Sequence, residues 1–152
     1  MNARNISLVL AGSIWVAVAL RIGNRALSWM KPYFDNFSLQ AFDWRLLLIL
    51  ASIAIGIAKS NTVLRKAALR NIGNSNQLAN SITNYIFGWL KLFGVRGSIV
   101  ISLMIALGFG LRALRDMGCD PFNLFGFLYL GVALALLLSA RFYFEALGQE
   151  QG

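Results

Sequence analysis

From Pro121 to Ala140 the chain runs for twenty residues without a charge. About 20 apolar residues, rising 1.5 Å each, carry one α-helix across the ~30 Å hydrocarbon core of a bilayer. Three other apolar stretches, 5–20, 46–58 and 97–111, are shorter. Taken alone, each is compatible with a buried helix of a soluble protein. Each stops at a cation (Arg21, Lys59, Arg112) and then resumes, through IGNRALSWM, SNTVL and ALRDM respectively. With those basic side chains snorkelling toward the interface, each reaches spanning length. The expected fold class is therefore all-α: a polytopic integral membrane protein with four transmembrane helices. Composition points the same way, because 58% of the 152 residues are hydrophobic and 13% are charged, whereas soluble domains carry about 25% charged residues.

The two halves of the chain resemble each other. VAVALRIGNRAL (16–27) and ALGFGLRALRDM (106–117) both end an apolar run in a pair of arginines, and each is followed by Asp and another apolar helix: DWRLLLIL at 43–50 and DPFNLFGF at 120–127. This predicts two tandem helical hairpins, about 5–72 and 97–147, repeated in the same orientation. Asp43 and Asp120 are expected helix N-caps, with Pro121 at the first helical position. The first hairpin turn is rich in aromatics, and Trp29, Tyr33, Phe34, Phe37, Phe42 and Trp44 are expected to form an interfacial belt. Arg4 ahead of the first apolar stretch, with Ala17 and Ala19 in an A-x-A arrangement, also imitates a secretory signal. The internal repeat argues for retention of that helix.

Between the hairpins, 74–94 is an amphipathic connector, with Leu78, Ile82, Tyr85, Ile86, Trp89 and Phe93 at helical spacing. It reads either as an interfacial helix or as a linker helix packed under the bundle. Arg4, Lys59, Arg65, Lys66, Arg70, Lys91, Arg96 and Arg141 fall on the side of the termini, against six cations on the other. This eight-to-six balance puts both termini in the cytoplasm.

Small residues recur every four positions, a spacing that returns to one helix face and lets a second backbone approach. Ser52, Gly56 and Ser60 form one such stripe, Ser98, Ser102, Ala106 and Gly110 a second, and Gly131, Ala135 and Ser139 a third. The partner is either a helix of this chain or one of a neighbouring subunit.

There is no histidine and a single cysteine, Cys119. No imidazole base, cysteine-cluster metal site or imidazole ligand for haem or zinc is thus available, and no catalytic group, metal or cofactor is expected. The apolar stretches hold no carboxylate of the kind that couples protons or sodium. The net charge of +8 suits membrane lipids with anionic headgroups better than nucleic acid, because no dense basic run is interleaved with stacking aromatics. Arg112 has Asp116 and Arg141 has Glu145 four residues on, one helical turn away. Arg21, Arg25 and Lys59 lack an acid at such spacing, and Lys59, Lys66 and Arg70 fall within a narrow arc of one helix as an expected basic stripe running from the membrane into the cytoplasmic loop. These five are the expected ligand- or lipid-binding residues. Snorkelling to phosphate, carboxylates of a partner and an anion-concentrating vestibule all answer their unpaired charge.

The sequence reading is accordingly a small non-enzymatic, self-assembling membrane protein offering a passive channel-like pathway for an anionic solute, lined by Arg21, Arg25 and Lys59. Its rival is an accessory or assembly subunit of a larger membrane complex. An enzyme acting on lipid headgroups, with the basic stripe as phosphate clamp, is a third reading that lacks a general base.

Overall fold

The computed structural model describes residues 2–34, 44–119 and 124–148. All regular structure among them is helical: α1 (Ala3–Phe34), α2 (Trp44–Lys59), a five-residue π-helical segment (Ser60–Leu64), α3 (Arg65–Ser75), α4 (Ile82–Asp116) and α5 (Leu124–Gly148). Four helical stretches are long and apolar enough to cross a membrane: Ala3–Pro32, Leu46–Ser75, Gly97–Asp116 and Leu124–Gly148. The expected caps Asp43, Asp120 and Pro121, and the aromatics Phe37 and Phe42, lie outside the described residues.

Close contacts define how the helices run. Gly12 faces the Phe144 ring, Gly23 faces Ala133, and Gly126 faces Met30, so α1 and α5 are antiparallel. Gly131 meets the Ser52 carbonyl, the hydroxyls of Ser60 and Ser139 lie 3.1 Å apart, and Asn71 donates to the Tyr143 hydroxyl at 2.9 Å, so α2 and α3 run parallel to α5. Gly88 lies against Ser7 and Arg115 against Trp29, which makes α4 parallel to α1. The directions alternate along the chain. Packing, by contrast, centres on α5: α1 lies along one of its faces and α2 along another, and neither sequential pair, α1 with α2 or α4 with α5, makes a comparable contact.

The π segment keeps a long helix in register. Small residues at 52, 56 and 60 drift about 40° around the helix at each step of four. Uninterrupted, the drift would carry α3 off α5. A π turn holds one extra residue and rotates the succeeding turns back by about 100°. As a result Ala68, Asn71 and Ser75, all buried, continue the face begun by Ser52, Gly56 and Ser60.

At the end of the bundle where α1 begins, Leu8, Ala11, Ala68, Leu92, Phe93, Phe142, Tyr143 and Ala146 form one apolar cluster drawn from α1, α3, α4 and α5. Helix α4 enters it through Ser81, whose hydroxyl accepts from the Asn84 N–H as an N-cap. It is then broken at Gly94, at φ 61° and ψ −177°, a region reserved essentially for glycine. Asn74 donates to the Leu92 carbonyl beside the break at 3.3 Å, a partial replacement for helical bonding lost there.

Candidate functional site

The five cations expected to bind an anion are divided over the molecule. Arg21 and Arg25 are exposed on α1. Arg25 lies 5.8 Å from the centre of the Trp29 ring, whose other neighbours are Arg115 of α4, at 4.5 Å, and the Tyr129 ring of α5, at 4.7 Å. Tyr129 donates to the Gly108 carbonyl at 2.8 Å, so one aromatic cluster ties α1, α4 and α5 together. Trp29 is only 7% exposed and belongs to this joint rather than to an open aromatic belt. Because indole faces attract guanidinium groups, the buried ring orients two arginines from different helices.

Lys59 belongs to a different region. It borders a groove of about 300 Å³ between α2, the π segment and α5, whose walls include Ser52, Ile55, Val63, Phe127 and Leu128. Neither Arg21 nor Arg25 reaches that groove, because α1 and α2 pack on different faces of α5. The uninterrupted stripe of Lys59, Lys66 and Arg70 is also corrected. The π segment falls between Lys59 and Lys66. The extra residue turns Lys66 and Arg70 away from Lys59 by about 100°, while those two stay together one turn apart on α3.

The packing residues separate equally clearly. Ser52, Gly56, Gly131 and Ala135 meet between α2 and α5: a Cβ on Gly56 would stand 2.8 Å from the Gly131 carbonyl oxygen, and one on Gly131 would stand 3.0 Å from that of Ser52. Ser102, Ala106 and Gly110 meet nothing of this kind. They are exposed on α4, and Ser102 and Ala106, with Gly94 and Ser98, line an open hollow of about 820 Å³ along that helix. Among the described residues none of the apolar window of Gly97–Asp116 is buried, against 44% of that of Leu124–Gly148.

Two features escaped the sequence reading. One is the Trp29 joint, whose members are remote in sequence. The other is Asn71, 3% exposed, which bonds Tyr143 through Nδ2 and leaves its Oδ1 without a hydrogen-bond partner. Asparagine amid the apolar periodicity of α3 was its available signal. The expected ion pair of Arg112 with Asp116 is present at 3.8 Å on an exposed surface, whereas Arg141 lies over the Phe142 ring at 4.9 Å. No group of three or more His, Cys, Asp or Glu capable of holding a metal occurs among the described residues, and Cys119 is a free, exposed thiol.

The fold and these surfaces define an all-helical protein with four helices long and apolar enough to cross a membrane. Comparison with protein-family models, with curated proteins and with solved structures finds no match to the chain.

Proposed function

We propose that the chain is a small, non-enzymatic integral membrane protein that assembles with further copies of itself through the outward face of α4. One observation carries this reading: the stripe Ser98, Ser102, Ala106 and Gly110 lies on a helix whose apolar window is wholly unburied among the described residues. Between helices in a bilayer there is little hydrophobic driving force, so association relies on close backbone approach at small residues. The same chain uses such residues where α2 meets α5. The alternating helix directions support the reading as two tandem hairpins with both termini on one side, the cytoplasmic side by the distribution of Lys and Arg. The long contact of α1 with α5 supports retention of the first helix.

The separation of Arg21 and Arg25 from Lys59 removes the ground for one anion lumen lined by all three within a single chain. Assembly is what remains best supported. Native mass spectrometry of the tagged protein, extracted from its own membrane in mild detergent, tests it. A closed homo-oligomer that dissociates in a Ser102→Leu, Ala106→Leu variant is the expected result. Stoichiometric foreign subunits would establish the accessory-subunit reading instead, and a bare monomer would refute both.

A further inference from the structure

We propose that Ile82–Phe93, the first part of α4, is an interfacial helix seated in the headgroup layer of an anionic leaflet, with Gly94 as the fixed bend that turns it into the following span. The proposal rests on the membrane reading above but not on assembly. This short helix packs through Asn84, Gly88 and Leu92 along one face and through Phe93 at its end, with Trp89 partly buried, and Gly88 lies against Ser7 of α1. Its wider apolar arc points away from the protein, with Ile82 81% exposed and Ile86, Phe87 and Leu90 each about half exposed. A lone exposed leucine needs no explanation, but four large apolar side chains on one arc of a short helix do.

Continuity and charge indicate the cover for that arc. The candidate span begins at Gly97, three residues after the break, so the last arc residue, Leu90, stands about two turns before the point where the chain would enter hydrocarbon. At φ 61° the Gly94 backbone cannot continue an α-helix, and the two parts of α4 must point in different directions. A helix that lies in the interface and then dives requires such a break. Between Asp43 and Asp116 the sequence contains no acid, while Arg65, Lys66, Arg70 and Lys91 are exposed on α3 and this segment. The two elements are joined by the Asn74 bond to the Leu92 carbonyl. A second copy docking here would bring like charges together. Anionic headgroups above acyl chains complement both the cations and the apolar arc.

The test places nitroxides on single cysteines in a Cys119→Ser background, reconstituted in phosphatidylcholine vesicles containing phosphatidylglycerol. Positions 86 and 90 probe the seat, 103 is the hydrocarbon control and 77, exposed beyond the end of the Leu46–Ser75 stretch, the aqueous one. Labels at 86 and 90 are expected to collide with oxygen and to exclude a nickel chelate far more than the label at 77. If 86 and 90 admit nickel as 77 does while 103 excludes it, the seat is refuted and the membrane reading stands. If 103 also admits nickel, the membrane reading itself falls. Headgroup preference is read from the enrichment of spin-labelled phosphatidylglycerol over phosphatidylcholine at the protein surface. Neutralising Lys66, Arg70 and Lys91 with glutamine is expected to reduce it, by up to about fivefold per cation. An unchanged preference would overturn the choice of an anionic leaflet.

Discussion

Substituting Gly56 with alanine tests the α2–α5 contact on which the bundle is built. The added Cβ would sit 2.8 Å from the Gly131 carbonyl oxygen and 3.1 Å from the Leu134 Cβ. Neither neighbour can rotate away, since one is backbone and the other the first atom of a side chain on the same helix. Relief therefore comes only by moving α2 off α5. A gap of 0.5–1 Å forfeits about a quarter to a half of each atomic contact's attraction, and overpacking of this kind costs roughly 1–3 kcal/mol. Against this stands the intrinsic helical gain of about 1 kcal/mol when alanine replaces glycine. Gly73→Ala in α3 supplies the control, because a Cβ there meets nothing within 4 Å and the variant keeps the gain alone. Thermal unfolding in detergent, followed by circular dichroism, should place Gly56→Ala below Gly73→Ala by roughly 1–3 kcal/mol, about 2–4 °C for each kcal/mol at this chain length. A Gly56→Ala protein as stable as Gly73→Ala would show that α2 and α5 do not meet backbone to backbone at this point.

Other consequences attach to single residues. Gly94→Ala has open space for its Cβ but retains a φ of 61°, so it should lose roughly 1–3 kcal/mol or straighten α4; an unchanged melting temperature together with an unchanged distance between labels at 86 and 103 would refute the break. Tyr143→Phe removes the hydroxyl that accepts from Asn71 Nδ2 and leaves that buried amide with no side-chain partner. The expected loss is about 1–3 kcal/mol, with Asn71→Leu/Tyr143→Phe closer to wild type than the sum of the single changes; strict additivity would show that the two do not interact. Tyr129→Phe loses its bond to the Gly108 carbonyl and should cost only about 0.6 kcal/mol, yet raise the mobility of a nitroxide at 110; a label equally immobile in both proteins would exclude Tyr129 as the tether of α4.

The four long helices were legible because length and apolarity are both written in the sequence, and 121–140 alone supplies enough of each for a membrane crossing without help. The Gly56 and Gly131 contact was also legible, since spacing of four marks a face that can admit a backbone. A π turn is different. SNTVL carries no residue that announces one extra amino acid in a turn, and its effect appears only in register, as Lys59 parting from Lys66 and Arg70. Trp29 invited assignment to an interfacial belt because tryptophan is common there; its actual neighbours, Arg115 and Tyr129, come from helices whose packing no local pattern specifies. The connector was legible as amphipathic, but the residues that pack include Asn84 and Gly88 beside Leu92 and Phe93. Close approach to α1 demands small volume there more than it demands apolarity.

That preference for volume over apolarity bears on α4 as a whole. Where two backbones of this chain approach, at Gly56 with Gly131, at Gly131 with Ser52 and at Gly88 with Ser7, a residue with little or no side chain stands on one side at least. A helix that faces only lipid gains nothing from such residues, because leucine or isoleucine offers the acyl chains more contact surface and dispersion accumulates atom by atom. Ser98, Ser102, Ala106 and Gly110 repeat the spacing found at Ser52, Gly56 and Ser60, on a helix attached to the rest chiefly through its first turns, the Gly108 carbonyl and Arg115. The bundle thus satisfies one small-residue face internally, where α2 meets α5, and leaves another turned outward at the same spacing. A second backbone along α4 would bury this face as α5 buries that of α2, and for that reason we propose assembly rather than any chemistry of the scattered cations.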